Sequence, residues 1–187
     1  MIEPAVARRI RLVGFDVDGT MTDGGVYIGS LATGSGEQGV ELKRYDIQDG
    51  LAFVLLRLAG LTVVVTSARG GEPARARATE LKVDEYVANN HKLPAFDAVL
   101  QRRGVRWEEA CYVGDDLPDL PLLRRAGLPV AVANAVPEVK AAARFTTTAA
   151  GGRGAVREFV EAFLRARGAW TDVVRQYLKE RGDDAAR

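Results

Sequence analysis

Four short apolar runs, separated by longer segments with helical periodicity, constrain the fold of this 187-residue chain more than any other feature. The runs cover residues 10–15, 61–66, 110–113 and 128–133. Uninterrupted runs of this length are typical of strands that are buried on both faces, and their alternation with helices is typical of βαβ units. The sequence therefore predicts an α/β fold that is doubly wound around a Rossmann-like parallel sheet.

Glycine residues mark the ends of several predicted helices. One predicted helix starts at Asp49-Gly50 and ends at Gly60. The others cover 92–104, 118–127 and 154–167. The length suits one domain with a sizeable core, so residues 1–187 are predicted to form a single domain with a C-terminal helix and tail at about 153–187. The final residues, 182–187, are predicted to be disordered.

The pattern changes between residues 24 and 46, where the segments VYIG and VELKRY flank a Gly- and Ser-rich stretch. This pattern predicts an inserted β-hairpin with a flexible tip. An isolated hairpin is only marginally stable in water. Its apolar residues are therefore expected to pack on another subunit, which predicts a homo-oligomer.

The overall charge excludes several classes of partner. The chain has 26 Lys and Arg against 25 Asp and Glu, a net charge of +1, which suggests neither nucleic acid nor an anionic membrane as a partner.

No apolar stretch reaches the roughly 18 residues of a membrane helix, and the apolar run after the basic N-terminus is too short for a signal peptide. The single Cys111 is expected to be buried and cannot form an internal disulfide. We expect a cytoplasmic protein whose partner is a small molecule.

Polar residues follow three of the predicted strands and begin one predicted helix. Asp16 and Asp18 end the first run, Thr66-Ser67 ends the second, Lys92 begins a helix, and Asp115 follows the third run. The carboxyl ends of parallel strands line the crevice where open α/β sheets bind ligands. Asp16 and Asp18 taken alone also fit an ordinary turn. Together, the ordered residues indicate phosphoryl transfer on Mg²⁺.

This ordered set resembles the motifs of the haloacid dehalogenase superfamily of phosphohydrolases, over about residues 10–168. The resemblance implies that Asp16 attacks phosphorus and forms an aspartyl-phosphate. It implies that Asp18 protonates the leaving alcohol and later deprotonates the hydrolytic water. Asp16, Asp115 and the backbone carbonyl of Asp18 would hold Mg²⁺. Asp119 is implied either as a further ligand or as a residue that orients the ligands, although the segment GDDLPD also fits a capped helix start.

The resemblance also implies which residues contact phosphate. Either Ser67 or Thr66 donates its hydroxyl, because the family usually reads Thr-Gly-Arg. Ser67 is preferred, since Ser-Ala-Arg then keeps Arg69 in place. Lys92 supplies a positive charge to the phosphate and to the Asp16 carboxylate.

The spacing of the motifs leaves no room for a cap domain. Residues 16–67 accommodate the hairpin and one helix, and residues 67–92 only a helix and a short strand. A capless site would lie open to water, whereas phosphoryl transfer gains from a closed, dry site. Neighbouring subunits that cover the site would resolve this conflict.

Within the superfamily, the chain resembles the capless, tetrameric 3-deoxy-D-manno-octulosonate 8-phosphate phosphatases of lipopolysaccharide sugar synthesis. The matching stretches are DVDGTMTDGGVYIG, NHKLPAF, YVGDDLPDL and AGGRGAVRE. The resemblance implies a homotetramer joined by its hairpins, with a C-terminal segment that reaches a neighbour's active site. The implied substrate contacts are Asp18, Asp46, Ile47, Gln48, Asp49, Gly50, Lys92, and two arginines that suit the sugar carboxylate, Arg69 and Arg77. The hairpin tip is longer than the family pattern, and Val54 stands where a basic residue is often found.

Three alternatives remain open. Arg77 also fits the solvent-exposed face of a helix. The substrate could be a nine-carbon acidic sugar 9-phosphate of the sialic acid or deaminated type, although Arg69 favours the eight-carbon sugar because the nine-carbon enzymes tend to carry Glu there. The chain could also be a catalytically silent oligomerisation module, against which the intact acidic residues and Lys92 speak.

Overall fold

The computed structural model of the chain describes residues 1–34 and 36–183. Its strands are β1 (Leu12–Asp16), β2 (Tyr27–Thr33), β3 (Gly36–Leu42), β4 (Thr62–Ser67), β5 (Glu85–Ala88), β6 (Ala110–Gly114), β7 (Leu128–Ala131) and β8 (Phe145–Thr146). Its helices are α1 (Pro4–Arg9), α2 (Ile47–Leu58), α3 (Glu72–Glu80), α4 (Lys92–Arg103), α5 (Leu120–Leu123), α6 (Pro137–Ala142), α7 (Ala155–Arg167) and α8 (Trp170–Glu180). Short 3₁₀ turns, Trp107–Glu109 and Leu117–Asp119, precede β6 and α5.

Six strands form a sheet in the order β5-β4-β1-β6-β7-β8, and all of its pairs are parallel. The central strand β1 lies between β4 and β6, with Asp16 in register with Thr66 of β4. The carboxyl ends of these three strands therefore meet at one edge of the sheet. This arrangement confirms the predicted doubly wound α/β fold.

Helices cover both faces of the sheet. Neighbouring residues of a strand point to opposite faces: Phe15 of β1 contacts Phe53 of α2 and Phe159 of α7, whereas Gly14 packs against Phe96 of α4. One layer contains α1, α2, α7 and α8, and the other contains α4, α5 and α6. None of the helices in the described residues is both long and apolar enough to cross a membrane.

The start of α2 differs from its predicted position. The helix begins at Ile47 rather than at Asp49-Gly50. Asp46 caps it, because its Oδ1 accepts a hydrogen bond from the Gln48 amide at 2.7 Å. The apolar pattern also does not predict α1, α6, α8 or the two-residue strand β8.

The helix predicted over 118–127 is shorter than expected. The segment forms the 3₁₀ turn Leu117–Asp119 and a single turn of α-helix, Leu120–Leu123. Pro118 and Pro121 stand in the first turn of these two elements, where a proline is tolerated, and the α-helix ends before Arg124. The predicted helices over 92–104 and 154–167 are confirmed to within one residue at each end.

The predicted hairpin is present as the antiparallel pair β2 and β3. By the pairing register, Tyr27 lies opposite Leu42 and Leu31 opposite Gln38, so the three apolar side chains share one face. Each of these three residues is 60–61% exposed. The described part of the chain therefore leaves this apolar face uncovered. The predicted burial of Cys111 is confirmed.

The C-terminal segment folds back on its own chain. One side of α7 is buried against α1 and α2, and α8 packs on α2 and α7. Residues 155–180 thus pack on their own chain, and the expectation that the segment after AGGRG also reaches a neighbour's active site stays a prediction. Gly182 and Asp183 close the last turn of α8 through their amides, and the remaining residues of the predicted disordered tail, 184–187, lie outside the described residues.

Asp49 joins α2 to the start of α7. Its buried carboxylate accepts hydrogen bonds from the amides of Arg157, at 2.8 Å, and Gly154, at 3.3 Å. These amides lie at the N-terminus of α7, where the helix dipole favours a negative charge. Burial nevertheless raises the pKa of Asp49 to about 6. The Asp49 carboxylate thus caps α7 and is not open to a substrate, contrary to the expectation from sequence.

We expect Asp49→Ala to destabilise the fold by about 2 kcal/mol, because it leaves two amides of α7 without their acceptor. For a chain of this size, that loss lowers Tm by about 4–8 °C in calorimetry or thermal circular dichroism. Asp49→Asn, which keeps one acceptor oxygen, is the matched control and should lose less. Equal melting temperatures for the Ala and Asn variants would show that the cap contributes nothing.

Wild type and Asp49→Asn should also differ in the pH dependence of their stability. The pKa of Asp49 is about 6 in the folded state and about 3.9 in an unfolded chain. The folded state therefore binds the proton more tightly, and this contribution to stability is full below about pH 4 and lost as pH rises through about 6. The wild type should lose on the order of 1–2 kcal/mol relative to Asp49→Asn across this window.

Candidate active site

The turn after β1, Val17–Met21, carries the first acidic residues. Gly19 has a φ angle of +90°, and a Cβ atom there would lie 2.0 Å from Asp115 Oδ2. Glycine is the residue that tolerates both this backbone conformation and this close approach. The turn thereby places Asp16, which is buried, and Asp18, with 25% of its side chain exposed, at the carboxyl edge of the sheet.

Three carboxylates meet at this edge. Oxygen atoms of Asp16, Asp115 and Asp119 lie within 4.8 Å of one another. Burial, together with the charge of Asp119, raises the pKa of Asp16 well above its usual value and that of Asp115 to about 6. A crowded set of hard oxygen donors fits Mg²⁺, which prefers such ligands and would relieve their repulsion. Asp16 and Asp115, both predicted as ligands, are therefore brought together.

Lys92 enters the same cluster from the first turn of α4. Its Nζ donates hydrogen bonds to Asp16 Oδ1 and, at 2.7 Å, to Asp119 Oδ1. Burial lowers the pKa of Lys92, but the charges of the two carboxylates outweigh burial and raise it above its ordinary value. The side chain is 4% exposed, so Lys92 is not a surface charge.

Hydrogen bonds occupy both oxygens of Asp119. Its Oδ1 accepts from Lys92 and, at 3.0 Å, from the Tyr112 hydroxyl. Its Oδ2 accepts from the amides of Asp115, at 3.0 Å, and Asp116, at 3.4 Å. Between the two roles considered for Asp119, these contacts favour orientation of the Asp115 segment over direct binding of a metal.

The two candidate hydroxyls after β4 have different partners. Thr66 Oγ1 lies 2.7 Å from the Tyr112 hydroxyl oxygen. Because the Tyr112 proton is donated to Asp119, Thr66 is the donor in this contact, and its single proton is already used. Ser67 Oγ accepts from the Gly70 amide at 3.0 Å, which leaves its own proton for donation. The geometry supports Ser67 as the phosphate contact.

The two arginines predicted to bind a substrate carboxylate differ in availability. The Arg69 side chain is 57% exposed and donates to Glu41 Oε2 at 3.3 Å. Arg77 is 11% exposed and donates to the backbone carbonyl of Asp46, at 3.2 Å, and to Glu80. Arg77 therefore holds α3 against the start of α2. Arg69 can bind a ligand if the ligand replaces Glu41 as its ion-pair partner.

The segment expected to lead into the substrate, residues 46–50, forms the first turn of α2. Ile47 is 83% exposed and Gln48 is also exposed, so both are free to contact a ligand. Gly50 is buried, and a Cβ atom there would lie 2.7 Å from Arg77 Nη2. The structure thus leaves Ile47 and Gln48 as the open members of this segment.

The AGGRG stretch packs beneath the turn after β1. A Cβ atom at Gly151 would lie 1.9 Å from the Gly19 carbonyl oxygen. Asn134 joins the two segments, because its Nδ2 donates to the Gly19 carbonyl at 2.8 Å and its Oδ1 accepts from the Gly151 amide at 2.6 Å. This stretch therefore supports the turn that carries Asp18.

Four residues of the site were not predicted from sequence. Thr20 donates to Asp115 Oδ1 at 3.1 Å, and Lys43 Nζ lies 2.5 Å from Asp18 Oδ1. The other two are Tyr112 and Asn134, described above. Their partners are distant along the chain, so no local pattern identifies them. Thr20 is the exception in part, since it follows the DVDG motif directly.

Known proteins are similar to this chain in both sequence and structure. A family model described as haloacid dehalogenase-like hydrolase matches residues 83–159. The 3-deoxy-D-manno-octulosonate 8-phosphate phosphatase of Escherichia coli (strain K12) is 36% identical over 165 residues, which cover 88% of this chain and 84% of that protein.

Two crystal structures are similar to the whole fold. A 3-deoxy-D-manno-octulosonate 8-phosphate phosphatase from Moraxella catarrhalis, in complex with magnesium ion, phosphate ion and KDO, superposes with a TM-score of 0.83 at 30% identity, covering 93% of this chain and 97% of that chain. The corresponding protein from Yersinia pestis gives a TM-score of 0.80 at 34% identity, covering 89% and 87%.

We expect Mg²⁺ to stabilise the chain through the carboxylate cluster. At about 100 times its Kd, the ion should add about 2.7 kcal/mol and raise Tm by about 5–10 °C. Asp115→Asn should lose most of this rise in Tm. Without metal, the variant should melt at or above the wild-type temperature, because one of three crowded anions is gone.

Asp116→Asn is the matched control for this titration. Asp116 is exposed and lies outside the cluster, and asparagine can replace it as the cap of the 3₁₀ turn. It should keep the wild-type response to Mg²⁺. An equal Mg²⁺ response in Asp115→Asn and wild type would rule out the cluster as the metal site.

Proposed function

We propose the activity of this chain from the family to which it belongs, the 3-deoxy-D-manno-octulosonate 8-phosphate phosphatases within the haloacid dehalogenase-like hydrolases. The chain is a Mg²⁺-dependent phosphomonoesterase that hydrolyses this sugar phosphate to the free sugar acid and phosphate. The observation that carries the proposal is the carboxylate cluster with its buried lysine. Such a cluster suits phosphate hydrolysis, and the relatives that align with most of the chain are named as phosphatases. We place the reaction in lipopolysaccharide sugar synthesis in the cytoplasm.

Asp16 is proposed as the nucleophile. Its carboxylate is held by Lys92 at the end of the central strand, so the attacking oxygen is oriented before substrate binds. Attack on phosphorus forms the bond to Asp16 and breaks the bond to the sugar oxygen. Lys92 and the Ser67 hydroxyl are placed to bind phosphate oxygens and to stabilise the charge that develops there.

Asp18 is proposed as the general acid and base. It follows the nucleophile by two residues and keeps 25% of its side chain exposed, so it can reach both the leaving alcohol and incoming water. It gives its proton to the departing sugar oxygen, and it then takes a proton from the water that hydrolyses the aspartyl-phosphate.

Mg²⁺ would be held by Asp16, Asp115 and the backbone carbonyl of Asp18, with Asp119 orienting the Asp115 segment. When bound, the ion supplies positive charge that offsets the phosphate and the carboxylates. Thr20 keeps one Asp115 oxygen in place through its hydrogen bond.

The exposed Arg69 is proposed to bind the sugar carboxylate with its bidentate fork. A nine-carbon acidic sugar 9-phosphate is the second candidate substrate, and Arg69 argues against it because the nine-carbon enzymes tend to carry Glu there. Ile47 and Gln48 are proposed as further contacts, and Arg77 as the residue that holds their segment.

Asp16→Asn should reduce turnover by on the order of 10⁴-fold or more, because the amide is not a nucleophile of comparable strength. The measurement is phosphate release from the octulosonate 8-phosphate and from a sialic acid 9-phosphate, compared as kcat/KM. Asp172→Asn, an exposed Asp on α8, is the control and should keep full activity. Near-full activity in Asp16→Asn would sink the mechanism, and a preference for the nine-carbon ester would sink the assigned substrate.

A homotetramer is proposed to form through the hairpins. The face that contains Tyr27, Leu31 and Leu42 is apolar and uncovered in the described residues, and a two-stranded hairpin needs further packing to be stable. A second copy of the chain is proposed to cover this face. The same contact would bring neighbouring subunits near the capless site.

Leu31→Glu should shift the mass in solution from about four times 20.2 kDa to a smaller species, because it buries a charge in the proposed interface. The measurement is light scattering at assay concentration. Ser30→Glu, on the opposite face of β2, is the matched control and should keep the wild-type mass. A wild type that is monomeric under these conditions would overturn the proposed assembly.

A further inference from the structure

The side chain of Lys43 is fully buried, although it lies just after β3 at the base of the exposed hairpin. A buried ammonium loses hydration and needs charged partners to compensate. Its partners are Asp18, whose Oδ1 lies 2.5 Å from Lys43 Nζ, and Glu41, whose Oε1 lies 3.4 Å away. Lys43 is therefore in direct contact with the proposed acid-base residue.

Each of the two paired acids has its own lysine. Lys92 of α4 contacts Asp16, and Lys43 from the hairpin base contacts Asp18. The two acids differ in what else holds them. Asp16 is buried at the end of β1, whereas Asp18 lies in the turn with 25% of its side chain exposed, so core packing does not fix its orientation.

The backbone around Lys43 is tied to the same turn. An antiparallel bridge joins Thr22, directly after the turn, to Tyr45, two residues beyond Lys43. The Tyr45 hydroxyl also donates to the Pro73 carbonyl of α3 at 3.4 Å. The ammonium group is thus presented to Asp18 from a segment that Tyr45 ties both to the turn and to α3.

We propose that Lys43 is a positioning residue that holds the Asp18 carboxyl group where it protonates the leaving alcohol. The inference rests on the proposed function. In the step concerned, the bond from phosphorus to the sugar oxygen breaks, a bond from phosphorus to Asp16 forms, and the proton of Asp18 moves to the sugar oxygen. Lys43 keeps Asp18 in reach of that oxygen and stabilises the carboxylate that remains.

The inference also gives the hairpin base a role in the chemistry. Glu41, which contacts Lys43, accepts from Arg69 as well, at 3.3 Å. The last residues of the hairpin therefore contact both the proposed acid and the proposed carboxylate fork. A displacement of the hairpin relative to the sheet would therefore move Lys43 and, through this contact, Asp18.

The test compares two esters that differ in their need for a general acid. The octulosonate 8-phosphate has an alkoxide leaving group, which needs a proton, and p-nitrophenyl phosphate has one that departs without it. In Lys43→Met, kcat/KM for the sugar ester should fall about 100-fold and that for p-nitrophenyl phosphate less than about threefold. Because kcat/KM covers the steps up to release of the alcohol, later hydrolysis of the aspartyl-phosphate does not affect it.

The ratio of the two kcat/KM values, measured on one preparation, does not depend on how much of the protein is folded. Lys43→Arg should restore the ratio to within about tenfold of wild type, since it keeps the charge with a different geometry. Lys179→Met, an exposed lysine on α8, is the control and should leave the ratio unchanged.

An unchanged ratio in Lys43→Met, whether both rates fall equally or neither falls, would overturn the role of Lys43 while leaving the proposed function intact. A selective loss for the sugar ester supports it. A wild type that releases phosphate from neither ester would overturn the proposed function, and the role of Lys43 with it.

Discussion

Mutual repulsion among three crowded carboxylates, two of them buried, is the constraint on which the rest of the site depends. Asp16, Asp115 and Asp119 are crowded at the carboxyl edge of the sheet, and burial makes their charges costly. Lys92 and the hydroxyls and amides around the cluster offset part of that cost. The remaining repulsion is what a divalent cation bound at this cluster would relieve, so the crowding that opposes folding also favours binding of a metal.

The turn that carries these acids is supported by distant parts of the chain. Gly151 and Asn134 pack against Gly19 from below, and Asp49 fixes the start of α7 just beyond them. Each contact joins residues far apart in sequence, and Asn134 and Asp49 each make two hydrogen bonds there. These hydrogen bonds hold the turn against the fold behind it, and preorganised electrostatic catalysis requires such support.

The solvent-exposed side of the site is bordered by the hairpin. The described residues contain no cap domain. The insertion after the first acidic turn is the hairpin, and its apolar face is exposed. Its base is nevertheless connected to the site through Lys43 and Glu41. The hairpin thus links the surface proposed for assembly to the residue proposed to protonate the leaving group.

The positions of Asp16, Ser67, Lys92 and Asp115 could be predicted from sequence because apolar runs, strand ends and helix starts are local signals. Parallel pairing then brings the strand ends together without further information. The capping role of Asp49 could not be predicted, since the amides that it caps belong to a helix terminus more than 100 residues away along the chain. The sequence by itself determined the doubly wound fold and the chemical identity of the acidic cluster. Only the tertiary structure shows the partners of the two hydroxyls and the two arginines and the contact between Lys43 and Asp18, because most of these contacts join residues remote along the chain.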